Sequence, residues 1–236
     1  MYRLAWFDLP VDLQKTLGIH ETYNPQNNLA IYTSYDFSYK KEEIKSLIDR
    51  KFDTNKITIF HATTRKETKG TDIIVPIVQE VVNILNQENA GTQYEFITPD
   101  TYEPLRKAKN SEGWVPNDKI METKKMSHFY VDEYNSQVGY FGGSSVEALL
   151  TGNITLATIN NFTPEAQKAA HKNIPEVECP VIHLGSSQEE FKQILLKTLR
   201  KPKEELKQLA YQGLEWYFQT SDHKAVATKF KKEVLI

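Results

Sequence analysis

From about residue 56 the chain alternates short apolar runs with longer amphipathic ones. ITIFHAT (57–63) is apolar and rich in β-branched residues, and predicts a buried strand. In TDIIVPIVQEVVNILNQ (71–87), Ile73, Ile74, Ile77, Val81 and Leu85 recur at helical spacing. Pro76 fits that helix only if its opening turn is irregular. YEFIT (94–98) and HFYVDEY (128–134) predict two further strands, and VEALLTG a helix closed by Gly152 at its C′ position. ITLATIN (154–160) and PVIHLG (180–185) supply a fourth and a fifth strand. After residue 188 the pattern is wholly helical: EEFKQILLKTLR, KEELKQLAYQGLEWYFQT and DHKAVATKFKKEVL, broken by Pro202 and by Thr220–Ser221.

Such alternation predicts an α/β fold, a Rossmann-like parallel sheet with helices on both faces and a helical C-terminal tail. The first 50 residues fit the scheme less well. RLAWFDLPVDL and NLAIYTSYDF look like strands, and KKEEIKSLIDRK like a charged amphipathic helix. The reading therefore separates an N-terminal segment, 1–50, from a Rossmann-like domain, 51–236. No internal repeat or low-complexity linker interrupts it.

Composition narrows the function classes. With 236 residues, 39% hydrophobic and 25% charged, the chain has the makings of a soluble protein with a real core. A net charge of −2 argues against a general nucleic-acid binder. Cys179 is the one cysteine, so an internal disulfide is impossible. No apolar run approaches the ~18 residues of a membrane span, and no signal-peptide core opens the sequence. These features predict a cytoplasmic location, which makes the sequons at Asn153 and Asn161 accidental. His128, His171, His183 and His223 lack metal-ligand spacing, and the chain has no D-x-D pair and no G-x-S-x-G elbow. The expectation is a site without metal or cofactor.

Two strand ends carry unusual loops. In HATTRKETKGTD, Arg65 and Lys69 lie four apart and Gly70-Thr71 lead into a helix, a combination that suits an anion. A solvated basic turn fits these residues equally well. His61 at the same strand end reads as a satisfied, partly buried histidine rather than a phosphate contact. The second loop, VGYFGGSSVEALLTG (138–152), is neither a Walker loop nor a G-x-G-x-x-G turn. It offers a bare backbone beside a helix start, and Glu147 in the first turns of that helix. A carboxylate there suits a vicinal diol such as a ribose 2′,3′ pair. Ser144-x-x-Glu147 also has the form of a capping box, and taken alone Glu147 reads as a cap before it reads as a ligand. Together the loops suit a nucleoside diphosphate.

RKETKGTD, HFYVDEY and GYFGGSSVEALLTG, in this order, resemble the donor half of family 4 glycosyltransferases of the GT-B fold. The resemblance runs from about residue 56 to 236 and includes the closing helices. It implies a retaining, metal-independent transferase that binds a nucleotide-sugar donor, a UDP-sugar above all, for an unknown glycan, lipid or protein acceptor. Arg65 and Lys69 would hold the donor diphosphate and stabilise the leaving group. Gly142, Gly143 and Ser144, within the loop 140–145, would contact sugar and phosphates, and Glu147 the ribose. EGWVPNDKI (112–120) resembles the loop that holds the base, with Trp114 and Val115 near it, and Asp132 takes a structural place.

Two departures stand out. The first glutamate of the family's E-x₇-E falls on Gly139, which removes the carboxylate that faces the transferred sugar; Gln137 and Gly139 look closer to a variant loop. About 50 residues precede the donor domain, too few for an acceptor domain, so the chain looks like a donor half that works with a separate acceptor-binding domain or subunit. WFDLPVD (6–12) weakly resembles the linker strand between the halves, and Trp216, Tyr217 and Phe218 read as core or as an interdomain seam. The rival readings are a non-catalytic binding or scaffolding subunit and another doubly wound protein such as an epimerase.

Overall fold

A computed structural model describes residues 39–88, 91–134, 142–159, 179–222 and 224–225. RLAWFDLPVDL, NLAIYTSYDF, nearly all of DHKAVATKFKKEVL, and the loop positions Gln137, Gly139, Tyr140 and Phe141 lie outside the described residues.

Helix α1 (Lys41–Phe52) leads into strand β1 (Lys56–Phe60). One turn, α2 (Lys66–Lys69), and the long helix α3 (Thr71–Glu88) carry the chain back to β2 (Gln93–Ile97). Helices α4 (Glu103–Lys107) and α5 (Asn117–Met126) precede β3 (Phe129–Val131); α6 (Gly143–Leu150) leads to β4 (Ile154–Ala157). Beyond β5 (Ile182–His183) come α7 (Gln188–Leu199) and α8 (Lys203–Thr220). The five strands form one sheet in the order β2-β1-β3-β4-β5, and every pairing is parallel. The chain leaves β1 toward β2 and then crosses over to β3. That reversal opens a crevice beyond the carboxyl ends of β1 and β3, the place where open α/β sheets bind ligands.

Strand alternation sorts the core onto two faces. Ile57, Ile59, Phe129, Val131, Ile154 and Leu156 pack with α1, α3, α7 and α8. The intervening Phe60 and Tyr130 face Leu105 of α4 and Ala148 of α6, with Ile120 of α5 against them. Both faces of the sheet are thus covered, as parallel strands with apolar residues on each side require. The stripe Ile74, Ile77, Val78, Val81, Val82 and Leu85 holds α3 in place. The helix runs through Pro76, which leaves the Asp72 carbonyl without its helical N–H. Gly152 closes α6 at φ 70°, and a Cβ there would stand 2.5 Å from the Ile48 side chain.

The elements differ from the sequence pattern in three ways. β3 keeps three residues of HFYVDEY and β5 two of PVIHLG. α4 and α5 occupy a stretch in which the hydrophobic pattern marks no helix. α1, placed by sequence in the N-terminal segment, buries Ile44, Ile48 and Phe52 in the main core. Trp216 and Tyr217 are core rather than seam, buried against Val146, Leu149 and Leu150 of α6.

Candidate functional site

The crevice is built from the ends of β1 and β3 and the start of α6. His61, just past β1, is buried and ties three elements together. Its Nδ1 lies 2.8 Å from the Val131 carbonyl and its Nε2 2.8 Å from Thr71 Oγ1. The ring is the satisfied structural histidine that the sequence suggests. Gly70, at φ 69°, makes the turn from α2 into α3. A Cβ on it would fall 2.1 Å from the Tyr134 carbonyl oxygen, while the Tyr134 N–H donates to the Lys69 carbonyl at 2.9 Å. The chain beyond β3 is therefore clasped to this turn, and only glycine permits the approach.

The clasp brings Lys69 over the end of β3. Its ammonium is 3.0 Å from Asp132 Oδ1 and forms an ion pair with Glu133. Both carboxylates are buried, whereas Lys69 keeps 22% of its side chain exposed. Burial acts to lower the Lys69 pKa, but Asp132 and Glu133 outweigh it and hold it above the ordinary lysine value. For Asp132, burial acts upward; the Lys69 charge and the hydrogen bonds from Ser145 and Lys69 bring it below the usual carboxylate range. Ser145 Oγ donates to Asp132 Oδ2 at 2.6 Å, which fastens α6 to β3.

Gly142 is the N-cap of α6 and no side chain caps the helix. The first N–H groups of a helix have no intrahelical partner and carry its positive dipole end. A Cβ built on Gly142 would stand 3.8 Å from Lys69 Nζ, so the lysine and the helix start converge on one place. The capping box is not formed. Glu147 Oε2 instead accepts from Lys124 Nζ at 2.7 Å, and Lys124 also donates to the Ser144 carbonyl at 2.9 Å and to Ser144 Oγ at 3.0 Å. The Lys124 side chain is wholly buried, over the Tyr130 ring at 4.5 Å from its centroid. Burial pushes the Lys124 pKa down, and Glu147 opposes the shift. Tyr130 donates to the Ala62 carbonyl at 2.8 Å, so the 2.7 Å contact between its oxygen and Ser144 Oγ is a bond donated by the serine.

The remaining expected residues stand as follows. Arg65 is exposed at the start of α2 and makes no ion pair among the described residues. Its neighbour Lys66 is drawn to Asp100, which also holds Lys109. Trp114 is 53% exposed, on a loop that Asn110 organises by accepting from the Glu112 and Trp114 N–H groups at 3.1 and 2.8 Å. Val115 packs against the cluster of Phe60 and Tyr130. The structure thus brings together Lys69, Gly142, Gly143, Ser144 and Glu147, with Ser144 turned inward. Sequence reasoning missed Glu133 and, above all, Lys124. The signal for Lys124 was present: it lies three and four residues after Met121 and Ile120, on the apolar stripe of α5. Among the described residues no cluster of His, Cys, Asp and Glu has metal-site geometry, and no helix is long and apolar enough to cross a membrane.

No protein-family model matches the chain, and no curated protein matches it either.

Proposed function

We propose that this chain is the nucleotide-sugar-binding donor domain of a retaining, metal-independent glycosyltransferase of the GT-B type, with a UDP-sugar as donor. The observation that carries the reading is the convergence of Lys69 with the uncapped start of α6, 3.8 Å from a Cβ position on Gly142, at the β1/β3 switch. A diphosphate seated there would meet helix N–H groups, the partly exposed Lys69 and the exposed Arg65. In the complete enzyme these groups would stabilise charge growing on the departing diphosphate, a preorganised electrostatic role. Trp114 offers an exposed ring to the base.

A second reading, a non-catalytic binding or scaffolding subunit, is favoured by a specific observation. Lys69 and Glu147 already have opposite charges within the chain, in Asp132, Glu133 and Lys124. Titrating UDP, GDP and ADP into the folded chain separates the two. The donor-domain reading expects a clear preference for UDP, unchanged by chelator. It also expects a roughly tenfold or greater loss of affinity in Arg65→Ala, about the worth of a hydrogen bond to a charged group. Because Arg65 is exposed and makes no ion pair among the described residues, the same variant should keep its stability within about 0.5 kcal/mol. Absent or indiscriminate binding overturns the donor-domain reading.

A further inference from the structure

We infer that Asp132, itself buried, is the positioning residue that sets Lys69 against the start of α6. The inference rests on the donor-domain reading and names the group that assembles its diphosphate contact.

The two halves of that contact come from different loops. Lys69 ends α2, after β1, and Ser145 stands in the first turn of α6, after β3. Each meets a different oxygen of one carboxylate. Lys69 Nζ lies 3.0 Å from Asp132 Oδ1, and Ser145 Oγ donates to Asp132 Oδ2 at 2.6 Å. The sheet holds the backbone that carries this carboxylate. The Asp132 N–H donates to the Leu156 carbonyl at 2.9 Å, and the next carbonyl, of Glu133, accepts from the Thr158 N–H at 3.0 Å. Asp132 is 1% exposed and Ser145 0%, so both act on a ligand through Lys69 and the helix.

A counter-charge alone would not need this arrangement, because Glu133 already gives Lys69 a buried carboxylate. What Asp132 adds is the tie from the lysine to α6. The two roles make opposite predictions for an anionic ligand. Removing a counter-charge frees Lys69 and tightens the anion. Removing a tie leaves Lys69 to Glu133, out of register with the helix start, and loosens it. Alanine and asparagine at position 132 separate charge from geometry. Both lack the charge, but an amide can donate to Ser145 Oγ while its oxygen faces Lys69.

Calorimetry with UDP on the intact chain tests this, with urea unfolding to show that each variant is folded. Asp132→Ala should lose UDP affinity roughly tenfold or more, and Asp132→Asn should bind at least about threefold tighter than Asp132→Ala. Ser145→Ala leaves every charge in place and should also lose roughly tenfold. Combined with Asp132→Ala it should add nothing, since Ser145 acts through that carboxylate. Equal affinities in the alanine and asparagine variants, or tighter binding than in the unaltered chain, would make Asp132 a counter-charge and overturn the inference. A folded Ser145→Ala chain with unchanged UDP affinity overturns it too, and decides the matter if Asp132→Ala does not fold. In each of these outcomes the unaltered chain still binds UDP. If it does not, the donor-domain reading fails, and this inference with it.

Discussion

The two edges of the sheet each bury a lysine, and they treat it in opposite ways. At the carboxyl edge Lys124 faces a carboxylate, and its neighbour Lys69 faces two. At the amino edge Lys51 faces only carbonyls: Thr151 at 2.8 Å and Lys124 and Gly152 at 3.4 Å, where α5 and α6 end. Around it the bonds are neutral. His128 Nδ1 accepts from the Thr58 N–H at 3.1 Å, and its Nε2 donates to the Lys51 carbonyl at 2.8 Å. Burial pushes the Lys51 pKa down to about 7 and the His128 pKa down to about 4. One edge stores paired charges beside a crevice; the other spends a cation on joining two helix ends. A buried lysine is thus no marker of a site by itself. The partner decides.

The largest effect should come from breaking the charged edge. Lys124→Met leaves Glu147 as a buried carboxylate without its cation, and should cost about 3–5 kcal/mol in urea unfolding. Adding Glu147→Leu should recover most of that loss; failure to recover it would mean that packing, not charge, explains the cost.

Next in size is an acid transition at the neutral edge. In the folded chain His128 titrates near 4 and in the unfolded chain near 6.5, so between these values the unfolded state binds more protons. Stability is fully present above 6.5 and falls as the pH drops toward 4. The difference of 2.5 pH units corresponds to about 3 kcal/mol. His128→Gln, which keeps one acceptor and one donor, should flatten that stretch of the stability profile.

The smallest effect sharpens the contrast most. Lys51→Met removes a desolvated cation and leaves no orphaned charge, so at pH 7 its net cost should stay within about 1 kcal/mol. Because the folded pKa lies below the unfolded one, the parent chain gains stability as the pH rises above 7 toward 10.5, and the variant should lose that rise. A cost matching that of Lys124→Met would erase the distinction between the edges.

Much of the fold was legible in the hydrophobic pattern, because parallel strands buried on both faces read as continuous apolar runs and α3 and α8 keep a helical period. What the pattern hid was the pairing of charges. NDKIMETKKM reads as a solvated stretch, and the one local cue that Lys124 turns inward, while Lys125 lies over Tyr39, is its spacing from Ile120 and Met121. Lys51 is hidden in the same way, one turn after Ile48 on the stripe of α1. Long aliphatic stems let lysines share apolar faces, so a hydropathy period counts them as polar and misses their placement. Glu147 drew attention by its position after a glycine loop, but its partner lies 23 residues away, and only the folded sheet joins them.

The clasp at Gly70 has a bearing on how such chains diverge. The Tyr134 carbonyl occupies the place where any side chain at position 70 would begin, so glycine there is demanded by the backbone, independent of any ligand. The Arg65 side chain is exposed and makes no ion pair among the described residues, so the fold leaves it free to change, whereas the glycine after Lys69 is fixed by the backbone. Among relatives of this chain, glycine at position 70 should therefore persist whatever the chain binds, while Arg65 varies.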